Sequence, residues 1–126
     1  MGYSAEDWEQ IWLMEWCEAN AGRYPELKLI YHIPNEGKRT PATATKMKRM
    51  GLKAGVPDIF LPVAKGGKNG LYLELKAKGG RTSQNQREWI HALREQGYVA
   101  EVCFGWHTAA KLISGYLGMG DLWNVE

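Results

Sequence analysis

Leu71-Tyr72-Leu73-Glu74-Leu75-Lys76 alternates apolar and polar residues with the period of a β-strand. Leu71, Leu73 and Leu75 point to one side, into a core, and Tyr72, Glu74 and Lys76 to the other. A carboxylate and an amine thus share one face of a strand that runs over 71–77. By itself this would suit a solvated sheet face. The segment upstream points elsewhere. Gly55-Val56-Pro57-Asp58-Ile59-Phe60-Leu61 sets an acid between a glycine-proline turn and an apolar run, so a strand is expected over 56–62 with a partly buried Asp58. Residues 65–70 are polar and glycine-rich, which predicts a hairpin loop that pairs the two strands. Asp58 can then approach Glu74. Two close carboxylates repel unless something positive lies between them. Mg²⁺ suits that place, because it takes oxygen ligands and keeps waters for a phosphate and a nucleophile. Lys76 is placed to orient or deprotonate the attacking water and to offset charge developing on the phosphate.

Outward from this pair, Ser4 can cap a first helix with acids in its first turn, ending near Asn20 to Gly22. Trp8, Ile11, Trp12, Trp16 and Ala19 recur along it at helical spacing and read as core. Residues 27–33 read as a short strand ended by Pro34-Asn35-Glu36-Gly37. Thr40-Pro41 opens a second helix that stops near Gly51. Ser83 caps a third, with Trp89, Ile90 and Leu93 facing the core and Gly97 ending it. A strand over 98–104 and a helix over 108–117 follow. The order α-β-α-β-β-α-β-α predicts an α/β fold with a mixed central sheet and helices on its faces.

The chain of 126 residues fits one domain, 1–126, with enough apolar residues for a core. No apolar run is long enough to span a membrane, and the start MGYSAEDWEQ lacks the features of a signal peptide. A cytoplasmic protein is expected. Cys17 and Cys103 sit among apolar neighbours and read as buried reduced thiols. No paired Cys or His spacing suggests zinc.

The net charge of +2 conceals a segregation. Residues 1–26 carry Glu6, Asp7, Glu9, Glu15, Glu18 and Glu26 against Arg23, whereas 38–53 carry Lys38, Arg39, Lys46, Lys48, Arg49 and Lys53 with no acid. Such a basic stretch is either a solvated helix face or a phosphate-binding surface.

GVPDIF followed by LYLELK resembles the motif of the PD-(D/E)xK nuclease superfamily, with Pro57-Asp58 and Glu74-Leu75-Lys76 in the named positions. HIPNEGKR at 32–39, KMKRMGLKAGVPDIF at 46–60, LYLELKAKGGRTSQNQREW at 71–89 and LREQGY at 93–98 together resemble the virus-type replication-repair nuclease (VRR-NUC) family. Its members occur as stand-alone phage and bacterial proteins and as domains of larger repair enzymes. The resemblance implies a restriction-endonuclease-like fold. It implies cleavage of DNA phosphodiesters with Mg²⁺ or Mn²⁺, and kinship of small members with homodimeric Holliday-junction resolvases. A symmetric dimer would match paired cuts in a two-fold junction.

Carried onto this chain, the resemblance implies that Asp58, Glu74 and the Leu75 backbone carbonyl ligate metal and that Lys76 is the catalytic lysine. A first-helix glutamate is also implied. The family pattern favours Glu6, ahead of Gln10, while periodicity favours Glu9 among Trp12, Leu13 and Trp16. Gln86 lies near the start of the third helix on its inward face, and the resemblance implies that it lines the site. The 32–39 segment becomes a DNA-facing loop, with His32 in it, Asn35 bracing it and Lys38 and Arg39 on phosphates. Lys46, Lys48, Arg49, Lys53 and Lys78 complete the expected DNA-binding set. His91 and His107 have no assigned role, and Trp123 is a possible packing residue for a partner subunit. Competing readings are a DNA-binding or assembly module without catalysis, and a nuclease of flap or duplex DNA.

Overall fold

The computed structural model describes residues 2–34 and 40–120. Asn35, Lys38, Arg39 and Trp123 lie outside the described residues. The first helix, α1 (Ala5–Asn20), begins at a reciprocal cap. The Ser4 hydroxyl accepts from the Asp7 N–H at 3.0 Å, and the Ser4 N–H donates to the Asp7 carboxylate at 2.9 Å. Its buried residues are Leu13 and Cys17. Trp8 and Trp12 do not join the core, contrary to the helical-spacing expectation. They are exposed, with their rings stacked at 5.9 Å, and Tyr3 meets Trp8 edge-on. An apolar pattern this broad exceeds the one side of α1 that the sheet can cover: of Trp8, Trp12 and Trp16 only Trp16 packs on the core, and Ala19 is exposed as well.

The strand expected over 27–33 forms only at its end. Pro25–Leu29 is a short 3-10 helix, and β1 is Tyr31–His32. Pro25 starts that turn with a fixed φ, and Leu27 is buried while Leu29 is exposed. Helix α2 is Pro41–Arg49, capped by Thr40, and none of its residues is buried. Strand β2 is Ile59–Leu61, shorter than 56–62, because Pro57 and Pro62 on either side have no N–H for a ladder. Strand β3 is Leu71–Lys76, α3 is Gln84–Glu95, β4 is Val99–Phe104 and α4 is Trp106–Leu117.

The sheet order is β1-β2-β3-β4. The first two pairings are antiparallel and β3 with β4 is parallel, with α3 as the crossover. This is the mixed sheet flanked by helices that the alternation of elements predicts. Leu71, Leu73 and Leu75 pack with Leu13 and Cys17 of α1 and Ala109, Ala110 and Ile113 of α4. On the other face Ile90 and Leu93 of α3 cover Ala100, with Tyr72, Trp89, Tyr98 and Val102 around them. With both faces covered, β3 buries its polar residues too: Glu74 and Lys76 are not on a solvated face. Cys17 and Cys103 are buried and unpaired, and burial raises their thiols to about 12 and about 11. No helix among the described residues is long and apolar enough to cross a membrane.

Helix α4 starts two residues before the expected Thr108. Gly105 offers no side-chain cap there. The Trp106 N–H instead donates to a carboxylate oxygen of Glu9, at 2.8 Å, from the far end of the chain. A cap from so distant a residue leaves no local signal.

The turn before β2 depends on Gly55. Its φ is +93°, and a Cβ there would lie 2.7 Å from Asn85 at the start of α3. Gly55→Ala is therefore expected to destabilise the fold by roughly 2 kcal/mol or more, read as a lower urea midpoint. An unchanged midpoint would contradict this packing.

Candidate active site

Pairing of Ile59 with Leu73 carries Asp58, just ahead of β2, to the position opposite Glu74. Asp58 is anchored at both ends. Its side chain accepts from the Leu75 N–H at 3.1 Å. Its carbonyl accepts from the Ile33 N–H at 2.6 Å and lies 3.1 Å from Nδ1 of His32. With Nδ1 as the protonated nitrogen, His32 donates to that carbonyl. His32 thus braces the backbone of Asp58 from the edge strand, a structural hydrogen-bonding role. Its ring remains exposed.

Glu74 is 1% exposed. One oxygen, Oε2, accepts from Gln86 Nε2 at 2.8 Å and stands 3.4 Å from Lys76 Nζ. The other, Oε1, is buried with no hydrogen-bond partner. Burial above all, and then the neighbouring Asp58 carboxylate, push the Glu74 carboxyl up to about 8, with Lys76 opposing. Gln86 reaches Glu74 because its other amide atom is held: Oε1 accepts from the Ser83 N–H at 2.8 Å, closing the cap of α3. One side chain starts the helix and orients the carboxylate.

The two first-helix glutamates separate. Glu6 lies close enough to Lys76, Asp58 and the Ala77 backbone for all three to act on its carboxyl, which burial raises above its usual value. Glu9 is engaged by the N-terminus of α4. Periodicity pointed to Glu9 because it faces inward, but what it meets there is a helix end. Glu9→Ala is expected to cost about 1 kcal/mol of stability, seen as a lower melting temperature. A variant melting like the parent would remove Glu9 from this capping role.

Among the described residues no group of three or more His, Cys, Asp and Glu side chains stands close enough to hold a metal ion. Glu6 is thus not gathered with Asp58 and Glu74 into a three-acid cluster. The pair alone still fits a hard divalent cation. Mg²⁺ commonly binds one or two carboxylates and fills the rest of its shell with water and substrate oxygens. A buried carboxylate oxygen without a donor, beside a second carboxylate, is the chemistry such an ion satisfies.

Lys46, Lys48 and Arg49 are exposed on α2, Lys53 on the loop leading to Asp58, and Lys78 two residues beyond Lys76. Lys46 and Arg49 line an open groove of about 440 Å³ with Ala42, Thr45 and Met50. These cations are not part of the buried site.

The chain matches the VRR-NUC domain over residues 4–106. It is similar to a solved structure described as a VRR_NUC domain protein, with a TM-score of 0.79 and 33% identity. That likeness covers 96% of this chain and 94% of the other. No curated protein matches the chain. The matched span takes in α1, both paired acids, Lys76 and the crossover helix that carries Gln86, and on it rests the conclusion that the chain belongs to the VRR-NUC family of nuclease domains.

Proposed function

We propose that this chain is a Mg²⁺- or Mn²⁺-dependent endonuclease that hydrolyses DNA phosphodiesters, recognises DNA structure over base sequence, and works as a homodimer with a four-way junction as its substrate. The observation that carries the metal-dependent reading is Glu74, whose Oε1 is buried without a partner beside the Asp58 carboxylate. A bound Mg²⁺ would lie against the carboxylates of Asp58 and Glu74 and the Leu75 carbonyl, and would supply Lewis-acid charge at the phosphate oxygens.

The other residues prepare the site. His32 and the Ile33 N–H fix the backbone of Asp58, and Gln86 fixes one oxygen of Glu74. Lys76 lies against Glu74 on the same face, where its ammonium offsets charge that builds on the phosphate and orients the attacking water. The water oxygen bonds to phosphorus and gives up a proton to solvent as the bond to the leaving sugar oxygen breaks, that oxygen takes up a proton from solvent, and no protein nucleophile is consumed. Glu6 adds negative charge beside Lys76. The exposed cations Lys46, Lys48, Arg49, Lys53 and Lys78 contact phosphates, which positions DNA without reading bases. The same role is assigned to Lys38 and Arg39. The buried free thiols suit a reducing, cytoplasmic setting.

Labelled four-way junction, flap, duplex and single-stranded DNA, incubated with Mg²⁺, Mn²⁺ or EDTA, test the reading. Cleavage of the junction with either metal and none in EDTA is expected. Binding without any metal-dependent cut would favour a non-catalytic module, and a preference for flap or duplex would replace the junction. Sedimentation of the free protein reads the dimer.

A further inference from the structure

Of the large apolar side chains left exposed among the described residues, two lie on the sheet: Tyr31 at 51% and Phe104 at 50%. The strand registers put both on the face that carries the paired acids. Tyr31 pairs with Phe60, and Phe60 with Tyr72, which shares its face with Glu74 and Lys76. Lys76 pairs with Phe104. The rings therefore occupy opposite edges of the sheet, on β1 and β4, diagonally across Asp58, Glu74 and Lys76. With about 4.8 Å between strands and about 3.3 Å per residue, the two positions lie roughly 20 Å apart with the acids between them.

Tyr31 is held rather than loose. It meets Phe60 at 6.0 Å and 83°, and Phe60 stacks on Tyr72 at 4.2 Å and 20°. A perpendicular contact covers at most one face of the Tyr31 ring. The apolar residues of α3 that cover this side of the sheet gather around Tyr72, Tyr98, Ala100 and Val102, on and beside β3 and β4. Exposed rings on a rigid support, beside a site for phosphate chemistry, match a platform for nucleobases, since every base has a face to stack. Bases inside a continuous duplex are already stacked on each other and cannot offer that face.

We propose that Tyr31 and Phe104 are base-stacking residues that hold unpaired nucleobases on either side of the phosphate at Asp58, Glu74 and Lys76. The proposal rests on the nuclease reading above and refines its substrate class: DNA whose bases flanking the cut are unpaired or readily splayed. Stacked bases rise about 3.4 Å per nucleotide, so rings this far apart engage bases several nucleotides from one another.

The test uses the full chain and flap or junction DNA with unpaired nucleotides, carrying 2-aminopurine at each position in turn, with Ca²⁺ in place of Mg²⁺. Binding is expected to change the emission at one position on each side of the site. Tyr31→Ala should remove one change and Phe104→Ala the other, while Tyr31→Phe and Phe104→Tyr retain both. With Mg²⁺, each alanine variant is expected to lose roughly 5- to 100-fold in kcat/KM on DNA with unpaired flanks. If both alanine variants keep the emission changes and the parent kcat/KM, the proposal is overturned. A parent chain that cuts no DNA with Mg²⁺ or Mn²⁺, yet shows ring-dependent emission changes, would remove the nuclease reading and leave the stacking in place.

Discussion

Lys76→Ala is expected to lower the single-turnover cleavage rate by roughly 10²–10³-fold or more while DNA binding persists. Lys76 is the cation beside Glu74, at 3.4 Å, and is itself buried, so its charge acts in a medium that screens it poorly. The phosphate-binding cations proposed for affinity are separate residues, on α2 and the loop after it and, for Lys78, beyond the end of β3, and are untouched. The same substitution takes away the charge that opposes the rise in the Glu74 carboxyl. The metal-free variant should therefore melt below the parent, and added Mg²⁺ should recover part of the loss, because a ligand that binds only the folded chain stabilises it. Normal cutting by this variant under saturating Mg²⁺ would sink the mechanism. Lys76→Arg separates charge from shape: the charge remains, but a planar guanidinium does not reproduce a compact ammonium.

Glu74→Gln is expected to pull activity and stability in opposite directions. Cleavage should fall by roughly 10²–10³-fold or more, because the carboxylate that faces Asp58 is gone. Stability of the metal-free protein should rise at alkaline pH. Glu74 binds its proton more tightly in the folded chain than in the unfolded one. The extra proton is held between the unfolded value of about 4.3 and a folded value of about 8. The parent's stability therefore falls as pH rises across that window, with a slope of at most about 1.4 kcal/mol per pH unit. A neutral amide carries no such dependence, and near pH 8 the variant should be on the order of 1–3 kcal/mol more stable. Urea melts in EDTA at pH 5 and pH 8 measure both effects. Equal pH slopes in parent and variant would show that Glu74 is not the group that titrates. Loss of stability together with activity would mean that the acid pair supports the fold, contrary to the stability–activity trade-off argued from its burial.

The candidate site was readable in unequal parts. Glu74 and Lys76 follow from strand alternation, because side chains two apart share a face whatever the strand packs against. Asp58 follows from an acid in an apolar segment together with a hairpin loop that pairs its strand with β3. Gln86 follows from helical spacing with Ile90 and Leu93, which places it on the inward face near the start of α3, and the structure adds its reciprocal cap with Ser83. Its second bond, to Glu74, is not local and could not be seen.

What the sequence alone determined is the set of local periodicities: helices where caps and apolar spacing agree, a central strand with its two alternating faces, and an acidic start set against a basic middle. These depend on residues a few positions apart. The tertiary structure decided whatever depends on contacts between distant parts of the chain. It turned 25–29 into a 3-10 helix because Pro25 starts the turn and Leu27 is buried there. It left Trp8 and Trp12 outside the core because the sheet covers only one side of α1. It assigned Glu9 to the start of α4 and Glu6 to the neighbourhood of Lys76, a choice that angular position on a helix cannot make. It also buried Glu74 and Lys76, which alternation would equally have allowed in solvent, because a crossover helix covers part of the face they share.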